Sequence, residues 1–98
     1  MASDRKTREE AAKIAKAYPA MLKSSEQADN RQKAAAVRRA LEGLNDDSER
    51  ELVRRNLIEK VSLQRIPMPL SLSTMKRIRA RFLRLLAQEL GMYERRNA

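Results

Sequence analysis

Lys76, Arg77, Arg79, Arg81 and Arg84 set five permanent cations within nine residues, and no Asp or Glu stands between Glu59 and Glu89 to offset them. Such a row is suited to holding a polyanion, not to making or breaking a bond. Lys76 and Arg77 fall in the first turn of the helix expected there, an end whose partial positive charge ordinarily favours acids. Two cations at that end cost roughly a few tenths of a kcal/mol each in isolation, and the sign reverses when a phosphate arrives. Five cations are therefore expected to project together from one rigid helix. Catalytic chemistry finds little to work with. The chain has no histidine and no cysteine, which removes the usual acid-base group near neutral pH, the thiol nucleophile, disulfides, and zinc or iron-sulfur sites of the His/Cys kind. The hydroxyls of Ser71, Ser73 and Thr74 have no base to activate them, and a helix cap accounts for Ser73. Asp46 and Asp47 sit at an expected helix start without the further oxygens a metal needs. Tyr18, Phe82 and Tyr93 are too few and too scattered to form a base-stacking platform. No catalytic residue, metal ligand or cofactor is assigned, and an enzyme is the least expected class.

The elements that must carry these cations follow from composition. The 98 residues make one small domain, or one with a tail, and carry 22 Lys and Arg against 13 Asp and Glu, for a net charge of +9 and a pI near 10.7. Residues 50–84 hold ten basic side chains and only Glu51 and Glu59, whereas residues 1–49 balance ten against nine. Leu, Ile, Val and Phe number 20, and 15 of them lie between Leu52 and Leu90. A compact C-terminal half and a looser, alanine-rich N-terminal half packed on it are expected. No run of 18 apolar residues exists and the first twenty residues alternate in charge, so neither a membrane span nor a secretory signal is expected.

Scarce glycine, proline and β-branched residues predict helices joined by short turns. Thr7 and Glu10 match a capping box that would open a helix over residues 8–23, kinked or split at Pro19. Ser24 to Asn30 reads as a connector in which Ser25, Asp29 or Asn30 caps a second helix over 31–42, ended by Gly43. Asn45 to Ser48 supplies capping oxygens for a third helix over 48–60, with its acids serving the helix dipole. One short turn over 62–66, stopped by Pro67 and Pro69, leads to a last helix over 74–90, capped by Ser73 and closed by Gly91. Met75, Ile78, Phe82, Leu85, Leu86 and Leu90 define its buried stripe.

Across Ser48-Glu49-Arg50-Glu51-Leu52-Val53, then Ser62 to Ile66, the turn Leu70 to Ser73, and Thr74 to Arg79 running into Leu85 to Gly91, the chain resembles the sigma-factor region-4-like helix-turn-helix of the RinA/ArpU group of phage late transcription regulators. The resemblance covers about residues 44–92, and Arg77-Ile78-Arg79 with Leu86-Ala87-Gln88-Glu89-Leu90-Gly91 is its most specific part. It implies an all-α bundle of four to five helices with a C-terminal helix-turn-helix: residues 1–44 as support and oligomerisation helices, 45–92 as the DNA-binding region, 93–98 as a tail. It also implies that the helix after the turn lies in the major groove. Ser73, Thr74, Lys76 and Arg77 would then face DNA and Arg79 to Arg81 its backbone; Arg84, Arg54, Arg55 and Arg65, taken from the basic stretch itself, complete the candidate DNA-binding set. Leu63, Ile66, Leu72, Met75 and Ile78 would form the motif's core. The sequence departs from the pattern between Ile66 and Thr74, where it is about two residues short and carries Pro67 and Pro69, so the supporting helix is expected to be truncated or rebuilt.

The resulting expectation is a homodimeric regulator of double-stranded DNA in a phage or mobile element, acting in the bacterial host cytoplasm, with host RNA polymerase a further candidate partner. Two rivals stand beside it. One is a small inhibitor or adaptor whose basic face docks on an acidic protein; the other is a DNA-packaging subunit of the small-terminase kind.

Overall fold

The computed structural model describes residues 2–23 and 28–91. Among the described residues five α-helices carry the chain: α1 (Ala2–Lys16), α2 (Tyr18–Lys23), α3 (Ala28–Glu42), α4 (Asp47–Val53) and α5 (Leu72–Glu89), with no strand. A π-helical turn, Arg54–Ile58, continues α4, and a 3-10 turn, Leu63–Arg65, lies between it and α5. The protein is an all-α small bundle, as its composition predicts.

Helix starts differ from expectation, each for a local reason. α1 begins at Ala2, so Thr7 lies inside a helix and does not cap it. Ion pairs Arg5–Glu9 and Glu10–Lys13 at helical spacing, with alanine's high propensity, favour helix on both sides of Thr7. Pro19 splits the first segment at Ala17, and as the second residue of α2 it sits where its missing N–H is no loss. α3 begins at Ala28, which puts Asp29 and Asn30 inside the helix; the capping role expected of Ser25 lies outside the described residues. Ser71, not Ser73, caps α5: its Oγ accepts the Thr74 N–H at 3.2 Å and the helix starts at Leu72.

α4 is capped as the run Asn45 to Ser48 suggests. Asp46 Oδ1 accepts the Glu49 N–H at 2.9 Å, and Glu49 Oε1 accepts the Asn45 N–H at 2.8 Å, a reciprocal pair that satisfies two donors at the helix start. The expected continuation to Lys60 takes a wider path, with Glu59 N–H donating to Arg54 O at 2.9 Å and Val61 N–H to Arg55 O at 2.8 Å. Lys60 between them adopts φ 63°. Gly91, at φ 73°, closes the last helix and donates to Gln88 O at 3.0 Å.

One hydrophobic cluster joins the helices. Phe82, Leu83 and Leu86 of α5 meet Leu52, Val53 and Leu57 from α4 and its π-helical continuation and Val37 of α3, all buried. Ala11 and Ala15 of α1 and Ala36 and Ala40 of α3 are buried in the same cluster, and small side chains let these helices lie close on α5, on which both pack. Gly43 extends that close approach, since a Cβ there would stand 3.2 Å from Leu85 Cδ1. The stripe on α5 is displaced from the expected one: Leu83 and Ala87 are buried, while Leu85 and Leu90 are only partly so.

The helix-turn-helix is not formed in its ordinary shape. Its first helix is reduced to the three residues Leu63–Arg65, and Ile66 to Ser71, with both prolines, run outside helix to the start of α5. Each proline lacks an N–H and disfavours helix in the residue before it, which leaves no second turn to build. Of the motif's expected core, Ile66, Met75 and Ile78 are buried, Leu63 is partly buried, and Leu72 is exposed.

Candidate nucleic-acid interface

The cations expected to act together separate into three groups. Lys76, Arg77 and Arg84 of α5 and Arg65 of the 3-10 turn are exposed, and their side chains make no ion pair or hydrogen bond among the described residues. Arg77 and Arg84 are seven residues apart, two helical turns or about 10 Å along one face. Ser73 is exposed on the turn before them, and Thr74 is half-buried, its Oγ1 accepting from Ser71 Oγ at 3.0 Å.

A second group is neutralised within the chain. Arg81 Nη1 donates to both Glu49 oxygens, at 3.0 and 3.2 Å, tying α5 to the start of α4. Arg54 pairs with Glu51 and, at 2.7 Å, with Glu59, and Arg55 shares Glu51. Hydrogen bonds from Arg54 and Arg55 hold the Glu51 carboxyl below the usual carboxylate range, and the same contact raises Arg54 above its ordinary value. Arg81, Arg54 and Arg55 therefore do not project freely as expected. The acids of α4 do more than serve the helix dipole.

Arg79 stands alone. Its Nε donates to Asn56 Oδ1 at 2.8 Å, and Asn56 in turn donates from Nδ2 to Val61 O at 3.0 Å. No carboxylate pairs with it among the described residues. Burial, and secondly the charge of Arg8, lower the affinity of the Arg79 guanidinium for its proton. Arg79 faces a cavity of about 490 Å³ between α1 and α5, whose cations are Arg5, Arg8, Lys76 and Arg79 and whose carboxylate, among the described residues, is Glu9. Ala12, Ala80, Leu63 and Leu83 supply its apolar wall.

Sequence reasoning missed Arg5, Arg8 and Asn56. A signal for the first two exists in their spacing: Arg5, Arg8, Glu9 and Ala12 fall at i, i+3, i+4 and i+7, one face of a helix. The near-neutral balance of the first 49 residues concealed it. Asn56 carries no such signal, because only the π-helical turn brings it to Arg79.

Among the described residues no helix is long and apolar enough to cross a membrane, and no group of acids is placed to hold a metal ion. Comparison with family models, curated proteins and solved structures found no match to this chain.

Proposed function

We propose that this chain binds double-stranded DNA through the outer face of α5 and the 3-10 turn beside it, as a transcription regulator of a phage or mobile element. The observation that carries the reading is the surplus of cations left after internal pairing. Of the ten basic residues between positions 50 and 84, Arg50, Arg54, Arg55 and Arg81 pair with carboxylates. Lys60, Arg65, Lys76, Arg77, Arg79 and Arg84 have no such partner among the described residues. Uncompensated like charges on a small domain repel one another, and a polyanion that displaces its own counterions relieves that repulsion.

Duplex suits this face better than single strand. α5 is a rigid rod of about 27 Å with no exposed aromatic on which bases could stack, whereas a helix of ordinary diameter fits a major groove about 12 Å wide. The regulatory role and the phage setting rest on the resemblance of residues 44–92, and a homodimer would let two copies of α5 meet successive half-sites.

The test is an electrophoretic mobility shift with duplex from the neighbouring genomic segment, at physiological salt, against random duplex and single-stranded competitors. The expected result is retardation of the genomic duplex, displaced best by itself, less well by random duplex and least by single strands. Absence of retardation, or single strands competing as well as duplex, would overturn the reading.

A further inference from the structure

The cavity between α1 and α5 lies beside the outer face assigned to DNA and is built differently. Arg5, Arg8, Lys76 and Arg79 bring four cations to it, and Glu9, the acid among the described residues that line it, stands 3.6 Å from Arg5 as an exposed i, i+4 pair. Arg79 is held in place from behind. Asn56 accepts from its Nε, which leaves both terminal nitrogens of the fork for another acceptor, and Asn56 is itself fixed to the loop through Val61 O. The Arg79 guanidinium is half-buried, oriented by a neutral amide in place of a carboxylate, and close enough to Arg8 to feel its charge. Such a cation is unfavourable until an anion arrives. At about 490 Å³ the space falls in the range of small-molecule sites, about 300–1,000 Å³. Its apolar wall, Ala12, Leu63, Ala80 and Leu83, offers contact to an uncharged body but no polar group to read one.

We infer that this cavity is a binding site for a small organic polyphosphate of nucleoside-triphosphate size, its phosphates on Arg8, Arg79, Lys76 and Arg5 and its uncharged part against the apolar wall. Four cations in one space match a ligand that carries several negative charges better than a single phosphate. The Arg79 fork supplies paired, charge-assisted hydrogen bonds to phosphate oxygens, and Lys76 supplies a movable point charge at the exposed rim. The inference shares Lys76 and Arg79 with the cation surplus behind the DNA reading, and it separates from that reading through Arg77 and Arg84, which do not line the cavity.

Isothermal titration calorimetry of the full chain with magnesium-free ATP, at physiological salt, tests it, with inorganic tripolyphosphate and adenosine as companion ligands. Saturable one-to-one binding is expected, strongest for ATP, weaker for tripolyphosphate and undetectable for adenosine. Arg79→Gln should weaken ATP about tenfold, since the amide keeps one N–H donor and one charge-assisted hydrogen bond of the pair is lost. Lys76→Gln, an exposed change that leaves the core untouched, should weaken it severalfold. The double variant Arg77→Ala with Arg84→Ala should leave ATP affinity unchanged, even where DNA binding is lost. Failure of the wild type to bind ATP, adenosine matching ATP, tripolyphosphate matching ATP, or an equal loss in the outer-face double variant would each overturn the assignment.

Discussion

Lys60 holds a left-handed backbone, φ 63°, at the end of the π-helical turn, a position glycine ordinarily fills because it has no Cβ to crowd the following carbonyl. The Val61 N–H reaching back to Arg55 O fixes that conformation. Lys60→Gly should therefore stabilise the protein by about 1 kcal/mol, once the greater freedom of glycine in the unfolded chain is allowed for. Urea denaturation measures it, and a loss of stability would show that the lysine side chain has a structural role. Glu51 offers a second test at this scale. Its carboxyl is held below the ordinary value, about 4.3, first by hydrogen bonds from Arg54 and then from Arg55. The sign follows directly: because the folded value is depressed, the pairing contributes above the unfolded value and is lost as pH falls through the folded one. Carbon-detected NMR should show Glu51 titrating below the ordinary glutamate range; titration at or above it would mean that the two arginines do not hold it in solution.

At the scale of elements, α5 is where the spacing of apolar residues and the packing can be compared side by side. Leu83 is buried and Leu85 only partly so, although periodicity places Leu85 in the stripe. Leu83→Ala should cost about 2–5 kcal/mol, and Leu85→Ala clearly less, because the latter site is already open to solvent on one side. Thermal unfolding of the two variants checks the order, and a reversed order would contradict the observed rotation of α5. Much of this element was readable in advance. Met75, Ile78, Phe82 and Leu86 recur at helical spacing, and Gly91 ends the helix as its position suggests. The helix start is not legible from the sequence because Ser71 and Ser73 are equally good caps locally; the choice of Ser71 brings Leu72 into the helix as an exposed residue. Arg79 could have been read as inward-facing, since it lies four residues after Met75 and three before Phe82, inside the apolar arc. The pairing of Arg81 with Glu49 could not, because the two are 32 residues apart and meet only when α4 packs on α5.

At the scale of the whole molecule, the net charge of +9 is the quantity that folding redistributes. Acids of α4 and the turn after it neutralise Arg54, Arg55 and Arg81, while Lys76, Arg77, Arg84 and Arg65 remain outward. The total was evident from composition, but which cations survive pairing is a tertiary property. The same contrast separates residues that contribute to long-range attraction from those that hold helices together. The central claim is tested most directly by the salt dependence of duplex DNA affinity, measured by fluorescence anisotropy for the wild type, for Arg77→Ala with Arg84→Ala, and for Arg54→Ala. Affinity should fall linearly on a log-log plot, the outer-face variant should be shallower by about 1.8, two contacts at about 0.9 each, and Arg54→Ala should keep the wild-type slope. A slope left unchanged by loss of Arg77 and Arg84, or shifted equally by loss of Arg54, would contradict the account.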